Sequence, residues 1–127
     1  MLPETAEWLE QANYDLKTAR SLYRARRYIY AIFMCHLSVE KALKALVVET
    51  TGKVPPKTHN LVNLLKLGQA RLTEEQTKLI TRLSLAGIVT RYPEDLKRAL
   101  DDYPPPVTRD YLKRTKDVIK CIKRQIE

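Results

Sequence analysis

His36 and Glu40 stand four residues apart in a segment that otherwise reads as apolar, a spacing that puts both on one helix face. At about 100° per residue, each falls within about 20° of the centre of the stripe made by Ile29, Ile32, Phe33, Leu43 and Val47. Burying an ionisable pair there costs several kcal/mol unless each member finds a partner. Two arrangements meet that condition: a network that locks helix register, or a pocket lined by the pair. Lys41 and Lys44 sit towards one edge of the same stripe, Lys44 nearer the face of Glu40. They can serve an anionic ligand, or their stems can lie along apolar surface while the ammonium groups reach water.

Two further segments carry candidate chemistry. His59 follows Thr58 where a third helix is expected to begin, and the free N–H groups at a helix start suit phosphate or carboxylate. Polar residues also occupy such positions for capping alone. Arg91-Tyr92-Pro93-Glu94-Asp95 joins a permanently charged guanidinium, an aromatic ring and a rigid turn. Arginine clamps phosphate with two hydrogen bonds and tyrosine stacks on a base, although the same arginine can simply pair with a carboxylate such as Glu40. The candidate ligand-binding residues are therefore His36, Glu40, Lys41, Lys44, His59, Arg91 and Tyr92. There is no phosphate-binding glycine loop, no cysteine–histidine cluster with zinc spacing and no nucleophile elbow. No catalytic residue, metal site or cofactor is assigned, and an independently acting enzyme is not expected.

These residues need helices to position them. The chain has 127 residues, 44% hydrophobic and 30% charged, which suits one folded domain. Its three glycines and seven prolines leave long stretches free of helix breakers. Leu9, Ala12, Leu16, Ala19 and Tyr23 predict a first helix from about Glu4 to Ala25. A second, from about Tyr28 to Thr50, carries the small residues Ala31, Cys35, Ser38, Ala42 and Ala45 opposite its large apolar stripe. A helix with two such faces is packed on both sides, so this one should be central, its small face letting another helix approach closely. Gly52 ends it before the loop Lys53-Val54-Pro55-Pro56-Lys57.

Thr58 or Asn60 can cap a short third helix bearing Leu61, Leu64, Leu65 and Leu67. Thr73-Glu74-Glu75-Gln76 reads as the capping box of a fourth, with Leu79, Ile80, Leu83 and Ala86 inward and Gly87 weakening its end. Arg91-Tyr92-Pro93 should be a turn, since the residue before proline avoids helical geometry. A short helical piece over Asp95 to Asp102 leads to the stiff Tyr103-Pro104-Pro105-Pro106. The last helix starts near Pro106 or Thr108 and turns Leu112, Thr115, Val118, Ile119, Ile122 and Ile126 to one side. The expected fold is all-α: an antiparallel four-helix up-and-down bundle with a short additional helix, one domain over residues 1–127.

The formal charge is +8, from 23 basic and 15 acidic residues, which favours anionic partners or serves solubility alone. Cys35 and Cys121 are too few and too far apart for a disulfide framework and fit buried free thiols. No stretch reaches the roughly 20 apolar residues that span a membrane, and Met1-Leu2-Pro3-Glu4 lacks the pattern of a signal peptide. A cytoplasmic location is expected.

In combination, several segments resemble the HEPN family of small helical domains. They are Ala12-Asn13-Tyr14-Asp15-Leu16 with Ala19, Phe33-Met34-Cys35-His36, and Glu40-Lys41-Ala42-Leu43-Lys44-Ala45-Leu46. Thr58-His59-Asn60-Leu61 with Leu64-Leu65, and Arg91-Tyr92-Pro93, follow in the family's order, and the match covers nearly the whole chain. The resemblance implies a four-helix core, usually dimeric, and two activities known in the wider family. One is nucleotide binding beside a minimal nucleotidyltransferase, in toxin–antitoxin-like pairs. The other is metal-independent RNA cleavage, attributed to an arginine followed after four to six residues by a histidine. That second pattern is missing. His36 would need arginine at Ile29, Tyr30 or Ala31, and His59 at Gly52, Lys53 or Val54. The reading favoured by the sequence is a homodimeric module that binds a nucleotide, RNA or a nucleotidyltransferase protein, with a degenerate ribonuclease toxin or a purely structural interaction domain as alternatives.

Overall fold

The structure is a computed structural model that describes every residue from Met1 to Glu127. Its centre is α2, Tyr28–Thr51, whose packing partners include every other helix of the chain. The small face is the reason α1, Pro3–Arg24, comes close. Ala31, Cys35, Ser38, Ala42 and Ala45 are all buried, and across from them on α1 so are Ala12 and Ala19. With so little side-chain bulk between the helices, the Ser38 hydroxyl reaches the Ala12 carbonyl and donates to it at 2.7 Å. Cys35 lies within this seam, and burial pushes its thiol up to about 12, far from the thiolate. The other cysteine, Cys121, is half-buried, and both are free.

Only Ala25, Arg26 and Arg27 link α1 to α2, with Arg26 in the left-handed region at φ 63°. The two helices are therefore an antiparallel hairpin. At its other end α2 stops where expected, on Gly52 at φ 69°, which costs glycine little and other residues more. The capping box at Thr73 also forms, with both reciprocal hydrogen bonds, and opens α4, Glu74–Arg91. Leu79, Ile80, Leu83 and Ala86 turn inward on α4. In α6, Pro105–Ile126, Thr115, Val118, Ile119, Ile122 and Ile126 are buried and Leu112 is half-buried. A proline at the first position of α6 loses no helical hydrogen bond, so this helix starts at Pro105, slightly ahead of the expected Pro106. Lys123 meets Asn13 and Arg109 meets Tyr23, so α6 runs antiparallel to α1.

The four long helices make the up-and-down bundle, and two seven-residue helices occupy the connections: α3, Leu61–Leu67, and α5, Leu96–Asp102. Asn60 rather than Thr58 caps α3, accepting from the Asn63 N–H at 3.1 Å, while Thr58 braces the preceding turn by accepting from the Asn60 N–H. Asp95 caps α5 in the same way through Arg98. Gly87 corrects the expectation drawn from it. Instead of weakening the end of α4 it lies inside the helix, which continues for a full turn to Arg91 before Tyr92 breaks ahead of Pro93. No helix is long and apolar enough to cross a membrane.

Candidate functional site

Glu40 is buried in the middle of α2, and each of its oxygens has one cationic or N–H partner. Lys44, one turn on, donates to Oε2 at 3.2 Å, and the His59 Nδ1–H donates to Oε1 at 2.8 Å. A carboxylate removed from water needs this, because an unpaired buried charge costs several kcal/mol. The Lys44 ammonium is itself nearly enclosed and lies 5.4 Å from the centre of the Trp8 ring of α1. A ring face attracts a cation, so Trp8 adds to the enclosure of this charge.

The Glu40 bond fixes the tautomer of His59. With hydrogen on Nδ1, the neutral ring carries a bare Nε2, which has no partner in the protein and belongs to a side chain 60% exposed. His59 does not begin α3, as its position after Thr58 had implied. It precedes the cap Asn60, and the first N–H of α3, from Leu61, already donates to the Ser84 hydroxyl. Its contribution is therefore a side chain, and the start of α3 is not an anion site.

His36 lies one turn before Glu40, buried, and its Nε2–H donates to the His59 carbonyl at 3.1 Å. The ring rests against the backbone of α4 at Gly87. A methyl group at position 87 would stand 2.4 Å from the His36 ring carbon Cδ2, well inside contact distance. On its other side His36 stacks with Phe33, the rings 6.5 Å apart and 13° from parallel. The Arg91 guanidinium lies over that same Phe33 ring at 4.9 Å and makes no ion pair. Glu40 thus orients His59 and not Arg91. Lys41 does not join the group either, since its ammonium is held by Asp15 of α1 at 2.7 Å.

His36, His59, Gly87, Ile88, Arg91 and Tyr92 line one small cleft of about 90 Å³. That space fits a phosphate group and is far below the roughly 300 Å³ at which pockets take a whole small molecule. Ile88 and Tyr92 also border a larger open groove of about 420 Å³ running towards Glu94, Asp95, Arg98 and Asp102. The arrangement offers an unpaired guanidinium, a bare imidazole nitrogen and a tyrosine ring 74% exposed at the mouth of a longer groove. No group of three histidine, cysteine or carboxylate side chains converges to hold a metal ion.

Gly87 and Ile88 line the cleft but are not among the candidate residues, and Phe33, which carries His36 and Arg91, reads in the sequence only as part of an apolar stripe and a motif segment. A signal existed for the first: it is one of three glycines in the chain and interrupts an otherwise helical pattern. Gly87→Ala should raise intrinsic helix propensity by about 1 kcal/mol yet lower the melting temperature, because His36 has to move. A thermal melt unchanged or raised would remove His36–Gly87 packing as a constraint.

Burial holds the His36 imidazole below its ordinary 6.5, opposed by the nearby Glu40 charge and the His59 carbonyl. Above pH 6.5 the ring is neutral whether the chain is folded or not. Below it, the unfolded chain takes up a proton that the folded chain resists, so stability present above pH 6.5 is lost as pH falls towards the lower folded value. Melting curves from pH 8 to about 5 should show this loss, and His36→Gln should flatten it. An equal slope in both proteins would assign the loss to other groups.

The fold is shared with known proteins. The chain superimposes on the crystal structure of TT1696 from Thermus thermophilus with a TM-score of 0.82 at 22% identity, over 97% of this chain and 98% of that one. It also superimposes on the crystal structure of ST0689, an archaeal HEPN homologue, with a TM-score of 0.78 at 21% identity, over 99% and 100% of the two chains. At such identities these likenesses speak for the fold alone. No curated protein matches the sequence. The sequence model of the HEPN domain matches residues 5–126, nearly the full length, and the chain belongs to the HEPN domain family.

Proposed function

We propose that this chain is a binding module, acting as a homodimer, whose cleft takes the phosphate of a nucleotide or a nucleotide-bearing face of a minimal nucleotidyltransferase in a toxin–antitoxin-like pair. The observation that carries the reading is the convergence of Arg91, free of any carboxylate, and the exposed Tyr92 on one small cleft. In this reading Arg91 contacts phosphate, Tyr92 stacks on the base and Glu40 with Lys44 keeps His59 in place. The neighbouring groove, with Arg98 and three carboxylates, takes the rest of the ligand. Calorimetric titration with ATP, GTP and a short RNA tests it. Micromolar binding weakened at least tenfold by Arg91→Ala is the expected result, a loss of about 1.4 kcal/mol or more. Unchanged affinity in that variant overturns the assignment, and no binding by the folded protein moves the weight to a protein partner.

The homodimer is supported by apolar surface on the same side. Leu85 and Ile88 on α4 are 66% and 64% exposed, and Tyr92 after it and Leu96 and Leu100 on α5 are exposed as well. Contiguous exposed apolar surface of this kind marks an interaction face. A second copy seated there would border the cleft, because Ile88 and Tyr92 belong to both. Leu85→Arg with Ile88→Arg should convert the dimer to a folded monomer in light scattering; a dimer that persists places the interface elsewhere.

One observation favours a second reading, metal-independent RNA cleavage. A carboxylate bonded to one imidazole nitrogen with the other nitrogen bare is the arrangement of an oriented general base. RNA left intact in the presence of a chelator, at protein concentrations that saturate binding, removes it.

A further inference from the structure

The basic residues of α6 are not scattered around it. Arg109, Lys113, Lys116, Lys120 and Arg124 follow one another at spacings of four, three, four and four, with Lys123 beside them. On a helix that spacing is a single straight row, here about 22 Å long at 1.5 Å per residue. Asp110 and Asp117 fall on the side of α6 turned to α4, where Asp110 pairs with Arg114 and Asp117 borders a cleft with Glu75. The row itself holds no acidic residue.

A second row runs alongside. Lys17, Arg20 and Arg24 occupy one stripe of α1 that continues from Asn13 at spacings of four, three and four. Asn13 accepts from Lys123 at 2.7 Å and Tyr23 accepts from Arg109 at 3.1 Å, so the stripe is brought beside α6 at both ends. Packed helices lie about 8–10 Å apart, which sets the separation of the rows. None of the cations in either row pairs with a carboxylate, although the chain holds 15 acidic residues. Cations assembled without counter-charges repel one another, and an external polyanion relieves that repulsion.

We infer that the α1–α6 seam docks the phosphate backbone of a nucleic-acid duplex without reading its sequence. Two cationic rows about 10 Å apart match the two phosphate strands bordering one groove, for which B-form widths run from about 6 to 12 Å. A row of about 22 Å covers about six base-pair steps of 3.4 Å. A single strand needs one row and gains from aromatic stacking platforms, and neither row carries an exposed aromatic side chain. The seam is distinct from the His59 cleft, which is built on α2 and α4.

The test is fluorescence anisotropy with a mixed-sequence duplex of about 20 base pairs, made as DNA and as RNA, between about 50 and 200 mM salt. The expected result is binding that weakens steeply with salt. Lys113→Ala, Lys116→Ala and Lys120→Ala together should weaken it more than tenfold and lower the salt slope by about three. The matching control replaces the exposed Lys53, Lys57 and Lys66, removing the same charge elsewhere, and should shift affinity less than twofold. All six lysines are exposed, and circular dichroism confirms that both triple variants are folded. The Lys113, Lys116 and Lys120 triple variant should leave titration with ATP and GTP unchanged, which separates this surface from the cleft. Equal loss in the two triple variants would reduce the effect to net charge and overturn the proposal. So would no duplex binding at low salt, tighter binding of the single strand, or equal competition by polyglutamate, which would point to an acidic protein instead.

Discussion

A carboxylate stranded in an apolar helix face is a debt of several kcal/mol, and the way Glu40 is neutralised organises half of this molecule. Lys44 supplies one partner from the next turn of α2. The second has to arrive from outside the helix, and it is His59, which ties the loop after Gly52 down onto α2. Once His59 is held, its carbonyl faces the His36 ring and takes its N–H. His36 then needs room that only a residue without a side chain leaves, and Gly87 brings the α4 backbone against it. One turn later α4 delivers Arg91 onto Phe33. The cleft is the far end of a chain of polar contacts that starts at one buried charge and leaves one buried ring nitrogen, His36 Nδ1, without a partner.

The opposite side of α2 obeys a different constraint. There the side chains are small, α1 comes close enough for Ser38 to bond a main-chain carbonyl, the thiol of Cys35 is suppressed, and the one buried carboxylate of α1, Asp15, is paired with Lys41. One helix thus presents a closely packed, small-residue face to α1 and a polar, partly open one to α3 and α4.

Helix periodicity and caps were enough to read the elements, because they depend on neighbours a few residues apart: the Gly52 stop, the Thr73 capping box and the small face of α2 are all local. Polar groups in mid-stripe marked His36 and Glu40 as exceptional for the same reason. Partner choice was not legible. Nothing within four residues of Glu40 distinguishes His59 from Arg91 as its mate, and nothing near Lys41 points to Asp15, which lies on another helix. Gly87 was visible but misread, since a glycine that accommodates a ring and one that ends a helix look alike without the ring. The basic seam was hidden for a related reason: its two rows are separated in the chain and become one surface only when α6 lies along α1.

The three-residue link between α1 and α2 bears on how the chain reaches this state. The interface it closes is the most extensive in the molecule, yet its ends are neighbours in sequence, so little chain entropy is lost in forming it. The contacts that dock α6 on α1 join residues 86 and 110 positions apart. Local contacts form faster than distant ones, which favours the hairpin over the docking of α6 in the order of assembly. On a growing polypeptide, every residue of that hairpin is in place before the first residue of the last helix is added.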